Sequence, residues 1–476
     1  MRAARLAPLP PEWAAGEIAV IGLGKSGVGA ARLLARAGAS VYASDAGDGA
    51  SPRQAAERLV AEGIAAEAGN HDLERIVRAA AVVASPGVPP GAAPLAAARK
   101  AGVPVVSEVE VAIRLATGPR VIAVTGTNGK TTTTALIGHL LRSLGRDAVD
   151  AGNIGTAITE IALRDAQPDW LALEMSSFQL HDTPGIRPAV GVVTNLAPDH
   201  LDRYDSVDDY YADKAQLFRN ASPTSRWVLN ADDPLTLTLP GRRPGAGEEG
   251  GLAGHTYLFS LSDPLADAHY DRTADQLVVL GEPLVARGDV ALLGDHNVAN
   301  TLAASLAVMV ADEQHVVPEA RRALAAAVRS FRALGHRLEP VGEFGGVVWI
   351  NDSKATNVSS TFVAIEGMTR PTVVLLGGRH KGEPYTSLIA PLKRSAKQVL
   401  AYGEAGERIA ADLGASIPVE RMGTSFEDVM ARAKEIAEPG DAVLLSPACS
   451  SYDMFRNYEE RGAEFRRLAA EGSLQS

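Results

Sequence analysis

The chain has 476 residues, 46% of them hydrophobic, enough for substantial cores and, at this length, about three domains. A formal net charge of −11 with no basic stripe excludes nucleic acid as the main partner, and no apolar run approaches the roughly 18 residues of a membrane span. The single cysteine, Cys449, rules out an internal disulfide framework and fits a reducing compartment. Met1 to Trp13 carries three prolines and no apolar leader core, so the expectation is a soluble cytoplasmic enzyme.

In chain order, the β-branched run 17–22 predicts a buried strand and is followed by Gly22-Leu23-Gly24-Lys25-Ser26-Gly27 and a helix over 28–37. Strand 40–44 ends at Asp45, and strand 81–84 runs into Ser85-Pro86-Gly87-Val88-Pro89-Pro90. This is a dinucleotide fingerprint, with glycines for close phosphate approach and an acidic residue at the ribose position. Alone it suggests NAD, although it demands a nucleotide diphosphate more than a nicotinamide, and a ligand-free glycine turn shares the pattern.

The next strand, 121–125, enters Gly126-Thr127-Asn128-Gly129-Lys130-Thr131-Thr132 and a helix. Glycines there let backbone N–H groups face an anion at the helix N-terminus. Lys130 is expected to reach the β- and γ-phosphates and Thr131 a magnesium ion. The loop is shorter than the usual phosphate loop, because Val124 stands where its first glycine belongs. The chain is therefore expected to bind a nucleoside triphosphate.

Strand 170–174 ends at Glu174, placed for magnesium or else a solvated strand-end carboxylate. Strand 190–194 leads into Thr194 to Asp202, where His200 is either a cation ligand or a packing residue. Lys214 lies on an amphipathic helix, and its simplest reading is a surface lysine. The stretch 240–251 is expected to be a mobile loop and 257–293 a small antiparallel sheet appended to the middle domain. Helices follow over 296–312 and 318–329, with a hinge at Gly335. Strands 347–351, 372–377, 398–402 and 441–446 then deliver the loops Asn351–Asn357, Gly377–Gly382 and Ser446–Ser451 to one sheet edge, where open α/β sheets bind ligands. Cys449 reads as a packing residue.

The fold class expected is α/β in three domains. Residues 1–109 form a Rossmann-like domain, 110–333 a central ATP-binding parallel sheet of phosphate-loop type with the small antiparallel sheet, and 334–476 a second Rossmann-like domain.

The segments Thr125–Thr132, Glu174, His200, His296-Asn297 and Asn351–Asn357 together resemble the Mur ligases, ATP-dependent amide-forming enzymes of peptidoglycan precursor synthesis. Ser176-Ser-Phe-Gln-Leu180, Asn351–Asn357 and Ser446–Gly462 resemble the branch that adds glutamate to UDP-N-acetylmuramoyl-L-alanine. The likeness covers nearly the whole chain. It implies that the first domain holds UDP rather than NAD, through Lys25, Ser26, Asp45 and Gly87, with Asn153, Ser176 and Gln179 near the muramoyl-peptide. Ala46 and Gly47 stand where a familiar member has threonine and arginine, so uracil contacts are not carried over.

The same resemblance assigns ATP to Gly126, Thr127, Asn128, Gly129, Lys130, Thr131, Thr132, Asn297, Asn300, Arg337 and Asp352. Two magnesium ions would lie at Thr131, Glu174, His200 and a carbamylated Lys214, with Lys130, His200 and Lys214 catalytic. Lys354, Thr356, Lys381, Ser451 and Tyr458 would receive the amino acid. Such an enzyme is expected to work as a monomer on small molecules, through an acyl phosphate, and to be open without ligands, its third domain rotated away. D- and L-glutamate are not distinguished. A nicotinamide oxidoreductase, a non-catalytic nucleotide switch and a folate-extending amide ligase are the alternatives the residues leave.

Overall fold

The computed structural model describes residues 6–153, 155–199, 204–244, 251–332 and 335–471. Three sheets follow one another along the chain. The first has the spatial order Ala65–Ala68, Val41–Asp45, Ile18–Ile21, Ala81–Ala84, Val105–Ser107, all parallel. All four residues of Ile18–Ile21 are buried, as a central parallel strand covered by helices on both faces requires. The strand order reverses between Ile18–Ile21 and Ala81–Ala84, which opens a crevice at their carboxyl ends.

The middle sheet has nine strands, ordered Glu282–Ala286, Gln276–Val279, Ala268–Asp271, His255–Ser260, Arg226–Asn230, Val190–Val193, Arg120–Thr125, Trp170–Glu174, Ala148–Gly152. Only the pairings among Ala268–Asp271, Gln276–Val279 and Glu282–Ala286 are antiparallel. These strands continue the central sheet through Phe259 and Ser260 rather than standing apart from it. Helices Lys130–Ser143 and Asp295–Ala311 cover one face through Leu136, Ile137, Leu140, Leu302 and Leu306. The 240–251 stretch begins in a 3-10 turn, Leu239–Arg242, and half of the expected loop, 245–250, lies outside the described residues.

The last sheet runs Glu339–Phe344, Val347–Asn351, Ala442–Leu445, Thr372–Gly377, Ala396–Tyr402, Val419–Arg421, parallel except for its first pair. Its two faces bury separate clusters, one around Leu376, Leu392 and Ile409, the other around Trp349, Phe426 and Phe465.

The first sheet is not packed as a separate body. Helices Lys25–Arg36, Glu108–Leu115 and Ile158–Ala162 share one core, in which Leu34, Val109 and Ile161 join Leu171 and Trp227 of the middle sheet. Gly29 permits this approach, since a Cβ there would crowd Thr159.

At the expected hinge the left-handed turn falls on His336 (φ 65°) and Leu338 (φ 41°), one residue either side of Arg337. Non-glycine residues are held there only when their surroundings fix them. The His336 amide donates to Glu339 Oε2 at 2.8 Å, and the Leu338 amide to Asp352 Oδ1 at 3.2 Å.

Candidate active site

Strand Arg120–Thr125 ends at Gly126 (φ 140°), and Gly129 (φ 81°) starts the helix at Lys130. Side chains are excluded at both positions: a Cβ would overlap Thr194 Oγ1 at Gly126 and Asn300 Oδ1 at Gly129. The loop folds around two ammonium groups. Lys130 Nζ donates to the carbonyls of Gly126 (2.9 Å) and Thr127 (2.7 Å), and Lys214 Nζ to Gly126 (2.8 Å). The Lys214 ammonium also lies 4.5 Å from the centre of the Tyr210 ring.

Lys214 is 1% exposed, so the surface reading of this residue is corrected. Its helix, Val207–Ala215, turns that face inward beneath the phosphate loop. Burial, reinforced by Lys130, pushes its pKa well below the usual lysine value. Burial lowers Lys130 too, against the pull of Glu174 and Asp199. A neutral amine is the nucleophilic form of lysine.

Glu174 ends its strand 1% exposed, so it is not a solvated carboxylate. Asn153 Nδ2 donates to its Oε1 at 3.0 Å, while Oε2 is buried without a hydrogen-bond partner. An unpaired buried acidic oxygen within electrostatic range of Lys130 suits a hard divalent cation. Thr131 Oγ1 accepts a hydrogen bond from Arg337 Nη2 at 2.8 Å and keeps a lone pair for a metal. Among the described residues no three His, Cys, Asp or Glu side chains form a metal cage, and magnesium, which is commonly held by one or two carboxylates and phosphate oxygens, needs none. His200 lies outside the described residues.

Asn128, Gly129, Thr132, Asn297, Asn300, Arg337 and Asp352 line one cavity, with His296 and Leu292. The amides are ordered: Thr133 Oγ1 donates to Asn300 Oδ1 (3.3 Å), Asn300 Nδ2 to Asn297 Oδ1 (3.0 Å), and Asn297 Nδ2 to the Leu293 carbonyl (2.7 Å). Burial, with Arg337 nearby, brings His296 down to about 4, so its ring is neutral. Asp352 accepts from Ser446 Oγ at 2.8 Å, and burial raises it to about 7. Arg337 Nε is buried without an acceptor. Thr127 Oγ1 donates to the Ala197 carbonyl at 3.0 Å and so braces the loop rather than facing the cavity.

The last sheet closes on this loop. Asn128 Nδ2 donates to Ser359 Oγ (3.1 Å), Ser360 Oγ to Asn128 Oδ1 (2.7 Å), and Asn357 Nδ2 to Asp199 Oδ2 (2.8 Å). The expected open form is thereby corrected: polar groups from the two sheets satisfy one another across the cleft.

Of the residues expected to receive an amino acid, Lys354 and Tyr458 lie within electrostatic range of Glu174 and Arg337. Lys354 Nζ sits 5.1 Å from the Tyr458 ring centre, and burial lowers its pKa to about 8. Lys381 Nζ donates to Thr356 Oγ1 at 3.3 Å. Ser451 is buried, its carbonyl accepting from the amides of Met454 (3.2 Å) and Phe455 (2.8 Å). Sequence reasoning missed Arg461, whose buried guanidinium binds Ser353 Oγ (2.9 Å) and the carbonyls of Ser353 (2.7 Å) and Cys449 (3.2 Å). A further bond to the Gly377 carbonyl (3.4 Å) lets it tie the loops Asn351–Asn357, Gly377–Gly382 and Ser446–Ser451 together; its only sequence signal was its place in Ser446–Gly462. Cys449 itself packs against Tyr385, and burial pushes its thiol up to about 12.

Residues predicted for the UDP-substrate fall in two groups. Lys25, Ser26, Asp45 and Gly87 line a cavity of about 470 Å³ in the first sheet's crevice, with Ala46 and Ser85. Asp45 is pinned by the amides of Leu23 (2.7 Å) and Gly47 (2.8 Å). His71 also lines this cavity, bonded to Ser44 Oγ at 2.9 Å; no motif surrounds it in the sequence. Asn153, Ser176 and Gln179 instead gather at Glu174, the last two forming a capping box on helix Ser177–His181.

A crevice at the first sheet's switch point, a phosphate-type loop backed by an unpaired carboxylate, and a third set of loops carrying lysines fit an enzyme that uses a nucleotide. Family models bear on this directly: the Mur ligase MurD-like N-terminal domain matches residues 16–107, the Mur ligase middle domain 124–308, and the Mur ligase glutamate ligase domain 336–449. The chain is 41% identical to the UDP-N-acetylmuramoylalanine–D-glutamate ligase of Anaeromyxobacter dehalogenans, over 97% of this chain and 99% of that one. It is 39% identical to the enzyme of that name from Salinibacter ruber, over 94% and 96%. A pseudomurein peptide ligase from Methanothermus fervidus shares the fold, with a TM-score of 0.60 at 18% identity over 96% of this chain and 99% of that one. The chain belongs to the Mur ligase family, ATP-dependent enzymes that form amide bonds.

Proposed function

We propose that the protein joins D-glutamate to UDP-N-acetylmuramoyl-L-alanine, with ATP giving ADP and phosphate, a reading supported by relatives named for that reaction. The observation that carries it is convergence: Lys354 of the last sheet lies within electrostatic reach of Glu174 and Lys130 of the middle one, which supports reading the amino-acid and phosphate sites as one centre. The working units are taken as 1–109, 110–333 and 334–476. No helix among the described residues is long and apolar enough to cross a membrane. Use of ATP and the single cysteine support a cytoplasmic location, and the family resemblance supports a monomer.

A carboxylate is a poor electrophile. Its oxygen attacks the γ-phosphorus, the bond to the β-phosphate oxygen breaks, and ADP departs with the electron pair, leaving an acyl phosphate. Two anions meet in that step, and Lys130 is proposed to leave the Gly126 and Thr127 carbonyls for the transferring phosphate. Magnesium bound at Glu174 and Thr131 would neutralise charge between the phosphate oxygens and the attacking carboxylate. A second ion is assigned to His200 and Lys214, the latter after its neutral amine adds carbon dioxide and loses a proton to become a carbamate. Asn297, Asn300, Arg337 and Asp352 hold the nucleotide. Lys354, Lys381 and Tyr458 hold the incoming amino acid, whose neutral amine attacks the acyl carbon, expels phosphate and gives up a proton. Closure of the last sheet keeps water from the acyl phosphate.

Phosphate release should be followed with ATP and magnesium, with and without UDP-N-acetylmuramoyl-L-alanine, and with D-glutamate, L-glutamate or neither. Release that needs both the UDP-sugar and D-glutamate supports the reading. Release indifferent to both makes the protein a nucleotide switch and overturns it.

A further inference from the structure

Glu108 opens helix Glu108–Leu115, is 1% exposed, and has neither carboxylate oxygen hydrogen-bonded. A buried acceptor left without a donor carries its full desolvation cost, and here burial pushes the carboxyl up to about 7. Its charged form is steadied weakly by the backbone amides of Glu108 and Val109 at the helix start and by one side chain, Gln179. Gln179 is 4% exposed, and its Oε1 is spent on the Ser176 amide (3.1 Å) and hydroxyl (3.0 Å), leaving Nε2 buried without an acceptor. Acceptors short of donors thus face a donor short of an acceptor, one step from closing a hydrogen bond.

Their setting is the seam between the first two sheets. Ser107, ending the last strand of the first sheet, donates its amide to the Asp182 carbonyl (2.7 Å), and its hydroxyl meets Thr183 Oγ1 at 2.6 Å. Thr183 Oγ1 in turn donates to the Gln179 carbonyl at 2.5 Å. Any displacement of the first sheet is therefore delivered to the helix that carries Gln179, a short way along the chain past Glu174. Two apolar side chains would fill this seam without the desolvation cost, so the polar pair needs a reason beyond packing.

We propose that Glu108 is a positioning residue, its carboxyl orienting the Gln179 carboxamide so that the Ser176–Gln179 turn meets the muramoyl-peptide end of the UDP-sugar in register with the first sheet. The inference rests on the substrate reading above. It adds a link between the two groups of UDP-substrate residues, which lie in different sheets.

The test is a double-mutant cycle in the full chain with E108M, Q179M and both together, plus E108Q, with thermal melts to establish folding. KM for UDP-N-acetylmuramoyl-L-alanine is expected to rise about tenfold in E108M while KM for ATP stays within about twofold. E108Q keeps an acceptor toward Nε2 and should recover most of the loss. Adding Q179M to E108M should cost almost nothing further, because the pair acts as a unit. Additive penalties, equal rises in both KM values, or an E108Q as impaired as E108M overturn the assignment. Should E108M not fold, E108A, which also removes both acceptors, takes its place in the cycle under the same criteria. A parent enzyme indifferent to the UDP-sugar overturns the functional reading, whereas a normal parent with an unimpaired E108M overturns only the role of Glu108.

Discussion

The turns Gly22–Gly27 and Gly126–Gly129 both follow a buried parallel strand and both open a helix, yet they manage charge differently. The first leaves Lys25 exposed at the mouth of its crevice and fixes a carboxylate, Asp45, with two backbone amides. The second draws Lys130 and Lys214 onto one carbonyl and sets an unpaired carboxylate oxygen of Glu174 nearby. On the function proposed, the first turn only has to hold a diphosphate, a task that backbone groups left in water can meet. A turn where phosphate is transferred concentrates desolvated charge, where each interaction is worth more.

The sharpest way to break this contrast is to remove charge from each turn. K130M should lower turnover on the order of 10³-fold, because its ammonium acts on charge that develops during transfer. K25M should raise KM for the UDP-sugar by about tenfold or less, since an exposed cation contributes less. Comparable effects on turnover would end the distinction. Next in size, E174Q should lower turnover about 10²-fold and raise the magnesium concentration needed for half-maximal rate. An unchanged magnesium requirement would move the metal elsewhere.

A third test uses pH on the loops of the last sheet. Burial lowers Lys354 to about 8, below its value of about 10.4 in water, so its folded form loses charge first as pH rises. If it binds a substrate carboxylate, KM for glutamate should climb above about pH 8, and K354M should abolish the climb while raising KM throughout. Asp352 gives the opposite kind of signal, in stability. Its folded pKa of about 7 exceeds the unfolded carboxylate value, so the native state binds the extra proton and loses stability as pH rises from about 4 to 7. D352N should flatten that part of the melting-temperature profile.

The smallest effect is expected at Gly24. It has φ −69° and no atom within 4 Å of where a methyl group would sit, so G24A should leave melting temperature and KM nearly unchanged. G126A, at φ 140° against Thr194, should cost a few kcal/mol and most of the activity. Gly24 and Gly126 are thus not equivalent, and thermal melts with KM for each substrate would show it.

Much of this was legible in the chain because buried parallel strands announce themselves. Ile18–Ile21, Arg120–Thr125 and Thr372–Gly377 are apolar runs with a glycine at the end, and the loops that follow are where such sheets bind ligands. Ala65–Ala68 and Val419–Arg421 gave no such signal: both are edge strands, short and weakly β-branched, formed because a neighbour offers pairing. Burial was the other blind spot. Lys214 looks like a surface lysine until helix Val207–Ala215 is seen lying beneath the phosphate loop. Arg461 and His71 were illegible for the same reason, since their importance comes from loops far away in sequence. Closure was misjudged because the hydrogen bonds from Asn128 to Ser359 and Ser360 depend on tertiary approach.

The core shared by helices Lys25–Arg36, Glu108–Leu115 and Ile158–Ala162 has a consequence for how the molecule melts. Val109 and Leu115 are buried among side chains of both the first and middle sheets, whereas the last sheet keeps its two clusters to itself. Scanning calorimetry should therefore resolve two cooperative transitions rather than three, the larger belonging to the first two sheets together. A fragment cut near residue 109 would split an apolar layer in half and precipitate, while one beginning near residue 335 would stay in solution as a folded unit.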